Sequence, residues 1–142
     1  MKTTVMAGLL ALVAAPVAAQ DVVTYPFKGT FGDATFAVES AILDRGLVID
    51  FTSHVGDMLN RTREDVGSDV KLFEAADIFV FCSATLSREV MEENPMNIAQ
   101  CPYGIFVAER DDAVMVGYRT YPEGEMQKVQ ALLDEIAQDA IE

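Results

Sequence analysis

Tyr103-Gly104-Ile105-Phe106-Val107-Ala108-Glu109-Arg110-Asp111-Asp112-Ala113-Val114-Met115-Val116-Gly117-Tyr118 decides the fold. It predicts a strand from Tyr103 to Glu109, a tight turn at Asp111-Asp112, and a returning strand through Val114, Val116 and Tyr118. A hairpin is antiparallel, whereas a doubly wound parallel sheet joins its strands by helical crossovers. The closing hairpin therefore argues for an α+β domain with a largely antiparallel sheet and helices packed on one side.

Working outward, Val23, Tyr25 and Phe27 alternate with polar neighbours and predict a first strand, with Pro26 suggesting an edge or a bulge. Asp33 is placed to cap a helix with apolar positions at Val38, Ala41 and Ile42, and Gly46 is a natural stop. Leu47, Ile49 and Phe51 alternate as a second strand. A short helix from about Ser53 should bury Val55, Met58 and Leu59 and end by Gly67. The continuous apolar run Ile78 to Cys82 predicts a strand covered on both faces. A helix follows from about Thr85 to Glu93, capped by Ser83 or Thr85 and broken by Pro95. A last helix begins at Pro122, with Met126, Val129, Leu132, Leu133, Ile136 and Ala140 as its apolar stripe. The predicted order is β-α-β-α-β-α-β-β-α.

Residues 1–19 read as a signal peptide. Lys2 supplies the positive start, Val5 to Val17 the apolar stretch, and Val17-Ala18-Ala19 the small residues for cleavage. This places the product in the periplasm or outside the cell, with residues 20–142 as one domain and no later segment able to span a bilayer. The whole chain carries a formal charge of −13, and losing Lys2 makes it more negative. Such a surface repels nucleic acid and anionic lipid and could attract a basic protein partner.

Together these segments resemble a known family, domain of unknown function (DUF) family 302. Three stretches carry the likeness. One is Phe31-Gly32-Asp33-Ala34-Thr35-Phe36 leading to Arg45-Gly46-Leu47-Val48-Ile49, another is Ile78-Phe79-Val80-Phe81-Cys82, and the third is Cys101-Pro102-Tyr103-Gly104-Ile105-Phe106-Val107 with its hairpin. The resemblance covers nearly all of residues 20–142. It implies a compact domain related to the TATA-binding-protein-like fold, often a homodimer, with no catalytic residue to carry over. The signal peptide and acidic surface look like a secreted branch.

The chemistry-bearing residues are few. Cys82 and Cys101 are the only cysteines. If their strands are neighbours, the sulfurs can meet at one end of the sheet, and an oxidising compartment favours a disulfide between them. Two separate buried thiols, a redox pair and a metal-ligating pair are the alternatives. Cys82 precedes a helix N-terminus, whose dipole would lower its pKa, so Cys82 is the residue to watch if the protein is a thiol-based redox enzyme. His54 is the only histidine, and Met58 lies one helical turn on. Imidazole with thioether is a copper or haem-iron pair.

No Gly-x-Ser-x-Gly elbow, P-loop, dinucleotide glycine pattern, EF-hand loop or Cys-x-x-Cys pair occurs. Three functions follow. The first is a module binding a small ligand, metal or haem, with Cys82, Cys101, His54 and Tyr103 lining the site. The second is a disulfide-stapled structural or interaction domain, and the third an enzyme using Cys82. The balance leans away from an enzyme, since no base is evident for Cys82.

Overall fold

The computed structural model describes residues 21–142. The segment read as a signal peptide, 1–19, lies outside the described residues. The elements run β1 (Val22–Phe27), α1 (Phe31–Asp44), β2 (Val48–Ser53), α2 (Val55–Thr62), β3 (Ala75–Cys82), α3 (Ala84–Glu93), a 3-10 helix (Pro95–Gln100), β4 (Tyr103–Arg110), β5 (Ala113–Arg119) and α4 (Gln127–Ile141). The five strands form one antiparallel sheet in the order β1-β5-β4-β3-β2. The expected α+β architecture is present.

The β4–β5 hairpin turns at Asp111 and Asp112, both at positive φ (53° and 59°). Aspartate tolerates that region better than most residues, and this turn matches the twist of the strands. One face of the hairpin carries Tyr103, Ile105, Val107, Val114, Val116 and Tyr118, all buried. That face packs on α1 through Val38 and Ile42 and on α4 through Val129, Leu133 and Ile136. Arg45, at the end of α1, reaches Asp139 of α4 at 2.6 Å.

Several local readings change. The α1 cap is Thr30, not Asp33. Thr30 Oγ1 accepts from the Asp33 N–H, and the Asp33 carboxylate accepts from the Thr30 N–H, a reciprocal capping box. The acid three residues into the helix thus looks like the cap when it is the cap's partner. The last helix starts at Gln127, because the chain first turns through Pro122 to Gly124, the latter at φ 99°. α2 is shorter than expected and leaves Met58 exposed. Its tight contact is Gly56, where a Cβ would fall 2.4 Å from the Ala76 backbone nitrogen.

The second strand carries the largest departure. Ile49 pairs with Phe81, but the next pair is Phe51 with Val80, so Asp50 is an extra residue in a bulge. One added residue reverses the facing of everything after it. Phe51 therefore points away from the core and is 57 % exposed. The strand expected to be covered on both faces is covered on one. Phe79 and Phe81 face the core, while Ile78 and Val80 are half-buried on a face where α2, at one corner, is the helix that packs.

Candidate functional site

The open face of the sheet holds a groove of about 390 Å³ beneath α2. Val55 and Leu59 of α2 form one wall, and Ile78, Phe106 and Met115 of three adjacent strands form the floor. Every one of these strand residues lies opposite in parity to the buried core positions, so alternation alone sends them to this face. Gly117 allows the floor to be flat: a Cβ there would lie 2.5 Å from the Phe106 ring. The walls are apolar, which suits a hydrocarbon or aromatic group and offers no nucleophile.

Asp77 borders the groove along β3, but its place opposite core Val107 sends its side chain to the other face, where it holds His54. The His54 Nδ1 to Asp77 Oδ1 distance is 2.7 Å. His54 stands just before α2 and makes no side-chain cap bond. The hydrogen bond and negative charge of Asp77 raise the imidazole pKa above its ordinary value. Replacing Asp77 with asparagine is therefore expected to bring the His54 titration, followed by its ring proton resonances, down toward 6.5. Stability from the pair is complete below that unfolded value and fades as pH rises through the folded one. The Met58 sulfur lies 3.9 Å from the Thr62 hydroxyl. Among the described residues, no group of three or more His, Cys, Asp or Glu side chains is arranged to hold a metal.

Cys82 and Cys101 meet at the far end of β3. Strand pairing sets this: Phe81 is opposite Tyr103, so the residues just beyond each lie at the same end of the sheet. The sulfurs are 3.8 Å apart and both thiols are free. Ser87, on the first turns of α3, lies 2.7 Å from the Tyr103 hydroxyl and 3.7 Å from Cys101 Sγ. Tyr103 is fully buried between Phe81 and Tyr121, meeting both rings edge-on.

The helix N-terminus does not govern the Cys82 thiol. Burial, followed by the neighbouring Cys101, pushes its pKa up rather than down. The start of α3 is capped by Ser83, whose Oγ already accepts from the Leu86 N–H. Burial likewise raises the Tyr103 phenol.

The four expected lining residues thus divide into two places. Cys82, Cys101 and Tyr103 come together. His54 sits at the other end of the β2–β3 pair, where Ser53 is opposite Ile78 while Val48 is opposite Cys82. The groove itself was missed in the sequence, because its lining residues are ordinary apolar ones drawn from separate elements.

A third cluster was also missed. Tyr25 Oη donates to Asp134 Oδ1 at 2.5 Å, Tyr118 Oη donates to the same oxygen, and Gln138 donates to Oδ2 at 2.6 Å. Burial opposes the Asp134 anion, but the three hydrogen bonds outweigh it and hold the carboxyl below its ordinary pKa. Both phenols are raised. The cluster ties α4 to β1 and β5. Its stabilisation is fully present above the ordinary aspartate range and is lost as pH falls through the depressed value. Asp134→Asn is expected to cost about 1–3 kcal/mol at neutral pH and to flatten the loss of melting temperature below about pH 4.

Comparison with known proteins agrees with this architecture. The sequence model of DUF302, a domain of unknown function, matches residues 23–142. The crystal structure of an uncharacterised conserved DUF302 protein from Bacillus stearothermophilus superposes with a TM-score of 0.61 at 17% identity, covering 84% of this chain and 90% of that one. No curated protein matches the chain. The capped α1, the core face of β3 and the closing hairpin all fall within the matched residues, and the chain belongs to the DUF302 family.

Proposed function

We propose that this protein is an exported binding module that holds a small apolar ligand in the groove beneath α2. The observation that carries this reading is the groove itself, an apolar pocket of about 390 Å³ on a sheet face that the long helices leave open. Its volume lies within the range of small-molecule sites, and its walls supply burial rather than reactive groups. The groove offers a ligand apolar contact on every side, so selection would rest on shape and burial. The raised Cys82 thiol speaks against an enzyme built on that residue.

Titration with the fluorescent apolar probe 1-anilinonaphthalene-8-sulfonate tests this. We expect saturable binding at one site, lost in Leu59→Gln and Ile78→Gln while circular dichroism is unchanged. Equal binding by the wild type and both variants would overturn it.

A second reading, a homodimer, is favoured by the breadth of the same face. Phe51 and Val22 are exposed and Ile78, Val80, Phe106 and Met115 half-buried across all five strands. Monomeric domains seldom leave so continuous an apolar surface bare. Sedimentation separates the two readings. A dimer dispersed by Phe51→Glu or Val80→Glu supports pairing through this face, and a monomer at all concentrations removes it.

A further inference from the structure

We propose that Cys82 and Cys101 form a thiol–disulfide exchange site, a dithiol that is oxidised by a low-molecular-weight disulfide and reduced again while the domain stays folded. The site is separate from the groove and does not depend on it. It also differs from a permanent staple, which would be closed once and stay closed.

Five observations carry the proposal. The sulfurs are 3.8 Å apart, in van der Waals contact, while a disulfide needs about 2.05 Å. The paired strands β3 and β4 hold that proximity, so the second sulfur is already in place when the first has reacted. Both cysteines are partly exposed, whereas their neighbours Phe81 and Tyr103 are fully buried. An incoming disulfide can thus reach sulfur without the core opening.

The chain between the cysteines is ordered without a bond. Ser83 caps α3, Asn94 accepts from the Met96 N–H to start the 3-10 helix, and Asn97 donates to the Val90 carbonyl at 2.7 Å. The reduced form is therefore a complete structure rather than an unfinished one. Ser87 Oγ, between the Tyr103 hydroxyl and Cys101 Sγ, gives the Cys101 sulfur a hydroxyl neighbour that can accept a hydrogen bond from the thiol or donate one to the thiolate.

The exchange balances with the disulfide as sole oxidant. The thiolate of Cys101, the cysteine beside the Ser87 hydroxyl, attacks a sulfur of the incoming disulfide, forming a mixed disulfide and expelling one thiolate. The other cysteine then loses its proton and attacks the protein sulfur of that mixed disulfide, closing the Cys82–Cys101 bond and expelling the second thiolate. The protein gives up two electrons and two protons. The external disulfide gains both and leaves as two thiols.

The full chain, equilibrated with glutathione buffers of graded oxidation, acid-quenched and alkylated, provides the test by intact mass. We expect both thiols to disappear together over one transition, with the protein two hydrogens lighter and no glutathione adduct retained. The transition should reverse on adding reduced glutathione, with the far-ultraviolet circular dichroism unchanged. The chain has no tryptophan, so emission from Tyr103 and its neighbours should report the same transition. Cys82→Ser and Cys101→Ser should each retain a glutathione adduct, about tenfold or more above the wild type, because the intramolecular thiol that releases it is gone. A bond that opens only in denaturant, thiols that stay free in every buffer, or wild-type protein that stops at the glutathione adduct would each overturn the proposal.

Discussion

Phe81→Ala is expected to destabilise the domain by about 3–5 kcal/mol, the largest loss of any single change considered. Phe81 is fully buried on the core face, next to the last residue of β3. Its ring meets Tyr103 edge-on, with centroids 6.4 Å apart. Tyr103 in turn meets Tyr121, so the cavity would open in a row of three aromatic rings that has no small, mobile side chain to fill it. A domain of this size is typically stable by only 5–15 kcal/mol, so the variant should lose a large part of its margin. Urea unfolding measures it: the midpoint should fall sharply with the slope unchanged. Phe81→Leu keeps much of the volume and should lose markedly less. Equal midpoints for Phe81→Ala and the wild type would show that the ring does not pack as described.

Gly56→Ala is expected to be the second largest, about 1–3 kcal/mol, with a consequence beyond stability. The added methyl would lie 2.4 Å from the Ala76 nitrogen and 3.1 Å from the Ala75 carbonyl carbon. Both are backbone atoms in β3, so no side chain can rotate away. Elsewhere in a helix this exchange helps, since alanine is the better helix former by about 1 kcal/mol. Here α2 must instead lift from the strand, taking Val55 and Leu59 away from the groove floor. Probe binding should therefore weaken along with the melting temperature. Asp57→Ala, on the exposed side of the same helix, should change neither by a comparable amount.

The parts of the fold that were readable in the sequence were those written in local pattern. The β4–β5 hairpin joins two apolar strand-forming runs across two adjacent aspartates at its turn, and both cues survive intact. The α4 stripe is similarly explicit, because Val129, Leu133, Ile136 and Ala140 keep helical spacing over the whole helix. The meeting of Cys82 with Cys101 followed from placing them at the ends of adjacent strands.

What could not be read depended on events with no local signature. The bulge at Asp50 is one, since Leu47-Ile49-Phe51 alternates as cleanly as a straight strand would. The open face is another. Ile78 to Cys82 is apolar throughout, and a sequence does not say whether the second face meets a helix, a ligand or another chain. The direction of the Cys82 pKa is a third: the helix N-terminus was visible, but the burial and the neighbouring Cys101 that push the thiol up belong to the tertiary structure.

The two outer strands of the sheet carry a last consequence. β1 contains Pro26, which has no N–H to offer a passing strand, and β2 is interrupted by its bulge. Neither border presents an unbroken ladder of free donors and acceptors. Growth of the sheet by strand addition, the usual route from an exposed border to fibrous aggregates, is thus obstructed at both ends. Any contact the protein makes with its surroundings is steered onto faces and side chains, where shape and chemistry can select the partner.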